Sequence, residues 1–304
     1  MQILRQLTYT VCMKINSLKL HSFDSTRQVM KKETFEIFHY MGQKISNVPI
    51  HHHDFYEIYY FIKGPARYQF RIESKVYQMQ PGSLLLTSPM ELHQPLPAEG
   101  EDYERIVVWI NRDYLHRLST EDTFLGKCYK DTETFRSHLI LPSPRKQSGI
   151  YNILRRLITE SENSEFGSSL YAESILKELM VELSRFTPKD RIPPQEANES
   201  AEMISSALDF INSHYSEQLT LDALSQKLFV SKYYLAHEFK ASVGISLYRF
   251  ITLKRLMNAG DLLSGGMQPS DVSKTCGFNS YSSFYRAFTD EYGISPKNYL
   301  EMLS

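Results

Sequence analysis

The chain has 304 residues, of which 42% are hydrophobic and 23% charged, and its formal net charge at pH 7 is −1. This composition is typical of a soluble globular protein, and the length allows two domains. The sequence contains no run of about twenty apolar residues, which argues against a transmembrane helix.

The N-terminal residues and the cysteines indicate the cellular compartment. The first eight residues, Met1–Thr8, lack the apolar core and the cleavage site of a signal peptide. The three cysteines, Cys12, Cys128 and Cys276, are odd in number and far apart, which favours buried, reduced thiols over a disulfide framework. We therefore expect a cytoplasmic protein.

Residues 30–112 contain short runs that are rich in aromatic and β-branched side chains and separated by turn residues such as Gly64-Pro65 and Pro81-Gly82. Such runs predict strands of a sandwich or barrel. The predicted strands are Thr34–Tyr40, Glu57–Ile62, Arg67–Ile72, Ser83–Thr87 and Arg105–Ile110. We assign residues 1–112 to this all-β domain.

A histidine-rich stretch, His51-His52-His53-Asp54-Phe55-Tyr56-Glu57, lies within the β domain. Alternate residues of a strand share one face, so His51, His53 and Glu57 are expected to point in the same direction. We expect His93, from a later strand, to join them. Tyr59 shares their face and is predicted either to contact a ligand or to pack in the core.

Residues 113–186 are predicted to be helical, and residues 187–199 to form a polar, proline-rich linker. Two apolar stripes have helical spacing. The first consists of Ile150, Leu154, Leu157 and Ile158, and the second of Tyr171, Ile175, Leu176, Leu179, Met180 and Leu183.

Residues 200–304 contain two stretches that repeat each other at an offset of 49 residues. Phe229 matches Phe278, and Ser231 matches Ser280. Each copy predicts a helix-turn-helix unit, one at about 220–241 and the other at about 269–290. A single helix, Leu247–Leu263, is predicted to join them.

The second helix of each unit has a polar side that suits a DNA major groove. In the first unit the predicted DNA-binding residues are Ser231, Lys232, Tyr233, Ala236, His237 and Lys240. In the second they are Asn279, Ser280, Tyr281, Ser282, Tyr285 and Arg286. Arg286 is suited to pair with guanine or to contact a phosphate.

The charge of this region is balanced, with nine cations and ten anions from residue 200 onward. Neutralisation of phosphates supplies much of the non-specific affinity for DNA. We therefore predict weak non-specific binding and a dependence on a few local contacts.

The C-terminal residues resemble the AraC/XylS family of transcriptional regulators. The residues that carry the resemblance are Gly277-Phe278-Asn279, Phe284, Arg286, Phe288, Gly293, Ser295-Pro296 and Tyr299, together with Arg255, Ala259 and Leu262-Leu263. The resemblance implies tandem helix-turn-helix units that bind double-stranded promoter DNA, and contact with RNA polymerase. His237, Thr289 and Leu300 stand where the family usually has a basic residue, which weakens the expected phosphate contacts.

The histidine-rich stretch, with Gly64, Pro81-Gly82 and His93, resembles the cupin pattern. Three interpretations remain open: a metal site, a polar pocket floor for a small hydroxylated effector such as a sugar, and structural hydrogen bonding. We favour an effector site made by His51, His53, Glu57, Tyr59 and His93, and we predict neither a metal nor a cofactor. The two helical stripes resemble the family's dimerisation element, so a homodimer is expected. The alternative is that they only cover the barrel.

These patterns together predict a multidomain regulator: a cupin-like barrel with a helical dimerisation segment, followed by an all-α tandem helix-turn-helix domain. We expect an effector-responsive transcription factor, most simply an activator, and not an enzyme. No nucleophile or phosphate-loop motif is present in the sequence. The alternative function is a metal-dependent cupin enzyme with a C-terminal domain for interaction or DNA tethering.

Overall fold

The structure is a computed structural model that describes residues 20–21, 29–42, 48–96, 103–194 and 199–303. Cys12 and linker residues 195–198 lie outside the described residues. The chain divides into two compact units, residues 1–72 with 76–195, and residues 73–75 with 196–304. Across the described ranges, none of the helices is long and apolar enough to cross a membrane.

The first unit contains two antiparallel sheets. Its strands are β1 (Phe35–Gly42), β2 (Phe55–Lys63), β3 (Gln69–Ile72), β4 (Lys75–Gln78), β5 (Leu84–Thr87), β6 (His93–Pro95), β7 (Tyr103–Asn111), β8 (Leu139–Ile140) and β9 (Arg191–Ile192). Six strands form one sheet in the order β1-β7-β2-β5-β8-β9, and three form the other in the order β4-β3-β6. The β-rich fold agrees with the prediction, but within the described residues the sheets do not close into one barrel.

Alternation along β2 explains how one strand serves two cores. Phe55, Tyr59 and Phe61 pack into an aromatic core with residues of both sheets. Ile58 and Tyr60 face the other side, where helices cover the six-stranded sheet. Side chains two apart in a strand lie on the same face, so Glu57 belongs to the aromatic side.

The covering helices are α1 (Arg112–Leu118), α2 (Lys127–Thr134), α3 (Pro144–Glu162) and α4 (Ser168–Ser184). Both predicted apolar stripes, apart from Tyr171, are buried in the same core as the sheet. These stripes therefore pack against the six-stranded sheet, as the second of the two interpretations predicted. A dimer would have to use other side chains of this segment.

The segment from residue 113 to residue 199 contains two short strands and a 3-10 helix (Pro188–Asp190) that were not predicted. β8 lies within the region predicted to be helical, and β9 lies within the predicted linker. β9 pairs with β8 at the end of the six-stranded sheet. Arg191 is buried and donates hydrogen bonds to the carbonyls of Ser137 at 2.6 Å and Cys128 at 3.0 Å. These contacts hold residues 191–192 in the first unit.

The second unit is helical. Its helices are α5 (Glu199–His214), α6 (Leu221–Lys227), α7 (Lys232–Val243), α8 (Leu247–Ser264), α9 (Pro269–Thr275), α10 (Tyr281–Tyr292) and α11 (Pro296–Leu303). Ser231 and Ser280 cap α7 and α10 by accepting hydrogen bonds from the backbone N–H groups of Tyr234 and Ser283. Gly244 and Gly293 end these helices in the left-handed conformation.

The two helix-turn-helix units differ by one residue in their turns. The N–H of Val230 bonds to the carbonyl of Ser225, and the N–H of Phe278 bonds to that of Ser273, which is an offset of 48. The caps Ser231 and Ser280 are offset by 49. Val230 is therefore the counterpart of Phe278, and the predicted match of Phe229 with Phe278 is wrong by one position because the second turn contains an extra residue.

Candidate functional site

Histidines from two segments meet a carboxylate at one end of the aromatic core. His53 precedes β2, Glu57 lies within it and His93 begins β6. All three are buried, and their ligand atoms lie within 4.8 Å of one another. His51 pairs with His93 in an isolated β-bridge, and the ring centroids of these two residues are 4.3 Å apart. The structure thus brings together the four predicted residues His51, His53, Glu57 and His93.

Each of these imidazoles is held by a backbone carbonyl. The Nδ1 atoms of His51, His53 and His93 lie 2.9 Å from carbonyl oxygens of Pro49, Phe55 and Glu91. A carbonyl only accepts hydrogen bonds, so Nδ1 carries the proton and each Nε2 keeps its lone pair. In the described part of the chain, the Nε2 atoms of His53 and His93 are buried without a hydrogen-bond partner.

The carboxylate of Glu57 is held from a neighbouring strand. Its Oε2 accepts a hydrogen bond of 2.7 Å from Trp109 Nε1 and lies 3.6 Å from His53 Nε2. Burial alone would raise the pKa of Glu57, but the neighbouring His53, His93 and Trp109 outweigh it and lower this pKa to about 2. Glu57 is therefore ionised at neutral pH.

The imidazoles are neutral at the same pH. Burial, with the adjacent His93, lowers the pKa of His51 to about 3. Burial, with the adjacent His53, lowers the pKa of His93 to about 4, and burial also lowers that of His53. The cluster thus offers neutral nitrogen lone pairs beside one negative charge, which is a set of groups that suits a cation or a hydrogen-bond donor.

Two residues next to Glu57 were not predicted from the sequence. Trp109 of β7 and Thr87 of β5 are the cross-strand neighbours of Glu57. The hydroxyl of Thr87 is buried and, among the residues described, has no hydrogen-bond partner. Only the strand register, a non-local feature, brings these two side chains to Glu57.

Tyr59 shares the face of Glu57, as predicted, but its hydroxyl is already engaged. It lies 2.9 Å from the hydroxyl of Tyr68, which lies 2.8 Å from that of Tyr103. All three side chains are buried. Tyr59 therefore has the environment of a core residue.

Two surface cavities of the first unit lie apart from the histidines. One of about 710 Å³ is lined by α3 and α4, and one of about 350 Å³ by residues of β1, α1, α3 and α4. In the larger cavity, Arg156 pairs with Glu178 and Arg185 with Glu182. Arg156 and Arg185 are therefore already compensated by carboxylates of α4, whereas the buried Nε2 atoms of His53 and His93 have no hydrogen-bond partner in the described chain.

The first predicted DNA-binding surface is the outer side of α7. Its buried side contains Leu235 and Phe239. The predicted contact residues Ser231, Lys232, Tyr233, His237 and Lys240 are exposed, and Ala236 is partly buried. Tyr234 is also exposed on this helix and was not predicted. Two of the charged groups have local partners, since Lys232 lies 3.3 Å from Asp222 and His237 lies 3.0 Å from Glu238.

The second surface is the outer side of α10, opposite the buried Phe284 and Phe288. The predicted residues Asn279, Ser280, Tyr281, Ser282, Tyr285 and Arg286 are all exposed. The side chain of Asn279 accepts a hydrogen bond of 2.9 Å from Gln218, which orients it. Within the part of the chain that the structure describes, Arg286 makes one long hydrogen bond of 3.4 Å to the carbonyl of Ser282, so its guanidinium keeps donors for a ligand.

Comparison with known families matches both units. The family of AraC-like ligand binding domains matches residues 35–180, and a helix-turn-helix domain family matches residues 224–302. The two matches together cover about three quarters of the chain.

Curated relatives are similar along most of their length. The uncharacterized HTH-type transcriptional regulator YbfI of Bacillus subtilis is 27% identical over 77% of this chain and 80% of its own. The HTH-type transcriptional activator RhaS of Escherichia coli is 22% identical over 83% of this chain and 87% of its own. Among solved structures, ToxT of Vibrio cholerae aligns with 89% of this chain and 99% of its own at 15% identity, with a TM-score of 0.36. The chain belongs to the AraC family of transcriptional regulators, with an N-terminal ligand-binding domain and a C-terminal helix-turn-helix DNA-binding domain.

Proposed function

We propose that this regulator reads promoter DNA with α7 and α10 and that a small-molecule effector binds at the histidine cluster of the first unit. The observation that carries the DNA-binding proposal is the shared design of the two helices. Each begins at a serine cap, buries an aromatic or leucine anchor and presents exposed polar and aromatic side chains. This is the arrangement with which recognition helices enter major grooves.

The DNA contacts that we propose are those predicted from the sequence. Lys240 and Arg286 carry the charge-based contacts, since no acidic partner of either is found among the described residues. Tyr233 and Tyr281 supply exposed rings and hydroxyls near the starts of their helices. Asn279 is held by Gln218 in a position to accept or donate at a base edge.

The effector site that we propose consists of His51, His53, Glu57 and His93, with Tyr59 in the packed wall beside them. Its support is the set of buried nitrogen atoms without partners next to a buried carboxylate. Binding there alters DNA recognition only if the effector has different affinities for two states of the protein. The sequence favours a small hydroxylated effector such as a carbohydrate.

The mode of regulation is proposed by analogy. RhaS is described as a transcriptional activator, which supports activation through contact with RNA polymerase. We also propose a homodimer that acts in the cytoplasm, where promoter DNA is located. The enzyme alternative receives no support from the comparisons, since the relatives named are regulators.

The test is capture of genomic fragments by the purified full-length protein, followed by sequencing. We expect enrichment of a few upstream regions that share a two-part motif, with half-sites separated by about one helical turn, roughly 34 Å. The control is a variant with both Lys240→Ala and Arg286→Ala, which should lose this enrichment while retaining its far-UV circular dichroism. A wild-type protein that enriches no motif, with or without cell extract as an effector source, would contradict the proposal.

A further inference from the structure

We propose that His53, Glu57 and His93 bind a divalent transition-metal ion. The proposal names a ligand for the effector site, so its regulatory meaning rests on the proposed function. Binding of the ion itself requires only the first unit's side chains. This inference departs from the sequence-based expectation that no metal is bound.

The distances among the three side chains are close to those of a metal site. Their ligand atoms lie within 4.8 Å of one another. Ligand atoms bound to one ion at about 2.0–2.2 Å are separated by about 3–3.5 Å. The side chains therefore have to close by about 1 Å. We expect small side-chain rotations to supply this movement, because His53 precedes β2 and His93 begins β6.

The hydrogen bonds around the cluster orient the ligand atoms. Nδ1 of His53 and Nδ1 of His93 are each bound by a backbone carbonyl, which leaves Nε2 available inside the cluster. The indole of Trp109 holds the Glu57 carboxylate from outside. Metal ligands are commonly fixed by such outer contacts to the atom that does not bind the ion.

A purely structural role leaves these atoms unexplained. If the histidines only stabilised the fold, their Nε2 atoms would be expected to accept hydrogen bonds, yet in the described chain those of His53 and His93 are buried without a hydrogen-bond partner. Glu57 Oε2, at 3.6 Å from His53 Nε2, is beyond hydrogen-bond distance and has no proton to donate. Glu57 adds a negative charge that is also buried. A cation between these groups satisfies both nitrogen lone pairs and compensates the carboxylate.

The donor set selects the kind of metal. Two imidazoles and one carboxylate suit Zn²⁺, Fe²⁺, Mn²⁺, Co²⁺ or Ni²⁺, whereas Ca²⁺ and Mg²⁺ prefer oxygen ligands. Three protein ligands leave at least one coordination position open. A water molecule or an oxygen atom of a hydroxylated effector fits that position, so a metal and the proposed effector are compatible.

The test is metal titration of the full-length protein after treatment with EDTA. Zn²⁺ is measured by competition with a chromophoric chelator, and Co²⁺ by its visible absorption. We expect one equivalent per chain. Glu57→Gln should weaken Zn²⁺ binding by at least tenfold and remove the Co²⁺ bands, as should His93→Ala. The matched control is His116→Ala, because His116 is exposed on α1, and it should bind as the wild type does.

Glu57→Gln keeps the proposal testable where His93→Ala fails to fold, because it preserves the size of the side chain and the acceptor for Trp109. Circular dichroism verifies its fold. Absence of Zn²⁺ and Co²⁺ binding to the wild-type protein, or equal binding by Glu57→Gln, would overturn the metal site. DNA capture by the EDTA-treated protein is measured separately, so failure of the metal site is distinguishable from failure of the DNA-binding proposal.

Discussion

Gly277, in the turn of the second helix-turn-helix unit, is a position where a single methyl group should be strongly destabilising. Its φ is +79°, and a Cβ placed there would lie 2.2 Å from the carbonyl oxygen of Ser216 and 2.6 Å from the carbonyl carbon. The opposing segment is held firmly. Arg255 donates hydrogen bonds to the carbonyls of Tyr215 at 2.8 Å and Glu217 at 2.7 Å, so Ser216 is fixed on both sides.

Gly293 provides a matched comparison for Gly277→Ala. Its φ is +71°, but a Cβ there meets no atom within 4 Å. A left-handed conformation costs a residue other than glycine about 1–2 kcal/mol, and the lower entropy of the unfolded chain returns about 0.4–1 kcal/mol. We therefore expect Gly293→Ala to lower the free energy of unfolding by about 1 kcal/mol. At Gly277 the clash of the new methyl group with Ser216 adds an overpacking cost of about 1–3 kcal/mol. Gly277→Ala should therefore lower the free energy of unfolding by about 2–4 kcal/mol.

The assay is urea unfolding of the full-length variants, followed by far-UV circular dichroism. Fluorescence of Trp109, the sole tryptophan of the chain, reports on the first unit and serves as an internal reference. Equal destabilisation by Gly277→Ala and Gly293→Ala would refute the reasoning, since the two positions differ in steric contact and share the backbone conformation.

Three further predictions concern α10, the turn of the first helix-turn-helix unit, and the cysteines. Arg286→Ala should weaken specific DNA binding by about 1–3 kcal/mol and relax one base position, as measured by fluorescence anisotropy; unchanged affinity and specificity would exclude this contact. Phe229 is 96% exposed and has a φ of +57°, a left-handed conformation that glycine adopts without steric strain. Phe229→Gly should therefore raise the free energy of unfolding by up to about 1 kcal/mol. A lower free energy of unfolding in urea would contradict the idea that Phe229 is strained. Burial raises the pKa of Cys128 to about 12 and of Cys276 to about 11. A Cys12→Ser variant should therefore react with a thiol reagent at pH 8 only after unfolding, and reaction of a full thiol equivalent in the native protein would contradict this.

Local patterns predicted most of the secondary structure. The alternation around Glu57 correctly placed β2 and its two faces, and the serine caps correctly placed α7 and α10. These signals succeed because they depend on residues near in sequence. The two-residue strands β8 and β9 were missed because pairing with strands distant in sequence defines them.

The candidate metal cluster could also be predicted only in part from the sequence. Strand alternation predicted that His51, His53 and Glu57 share a face, and the cupin resemblance implied that His93 joins them. The structure brings the four residues together. The contribution of Trp109 and Thr87 follows from the register of β2 with β7 and β5. That register is set by the burial of whole strand faces, so no motif within a single segment records it.

The balanced charge of the second unit leads to an expectation about how it recognises DNA. Lys232, Arg249, Lys274 and Lys297 each face a carboxylate of the same unit. Pairing of this kind reduces the positive potential that would otherwise attract any duplex. We therefore expect Lys240 and Arg286, on the outer sides of α7 and α10, to make the main charge-based contacts with DNA. We therefore expect few contacts to phosphates, and we expect the affinity for a target site to depend on base edges that both helices contact at once.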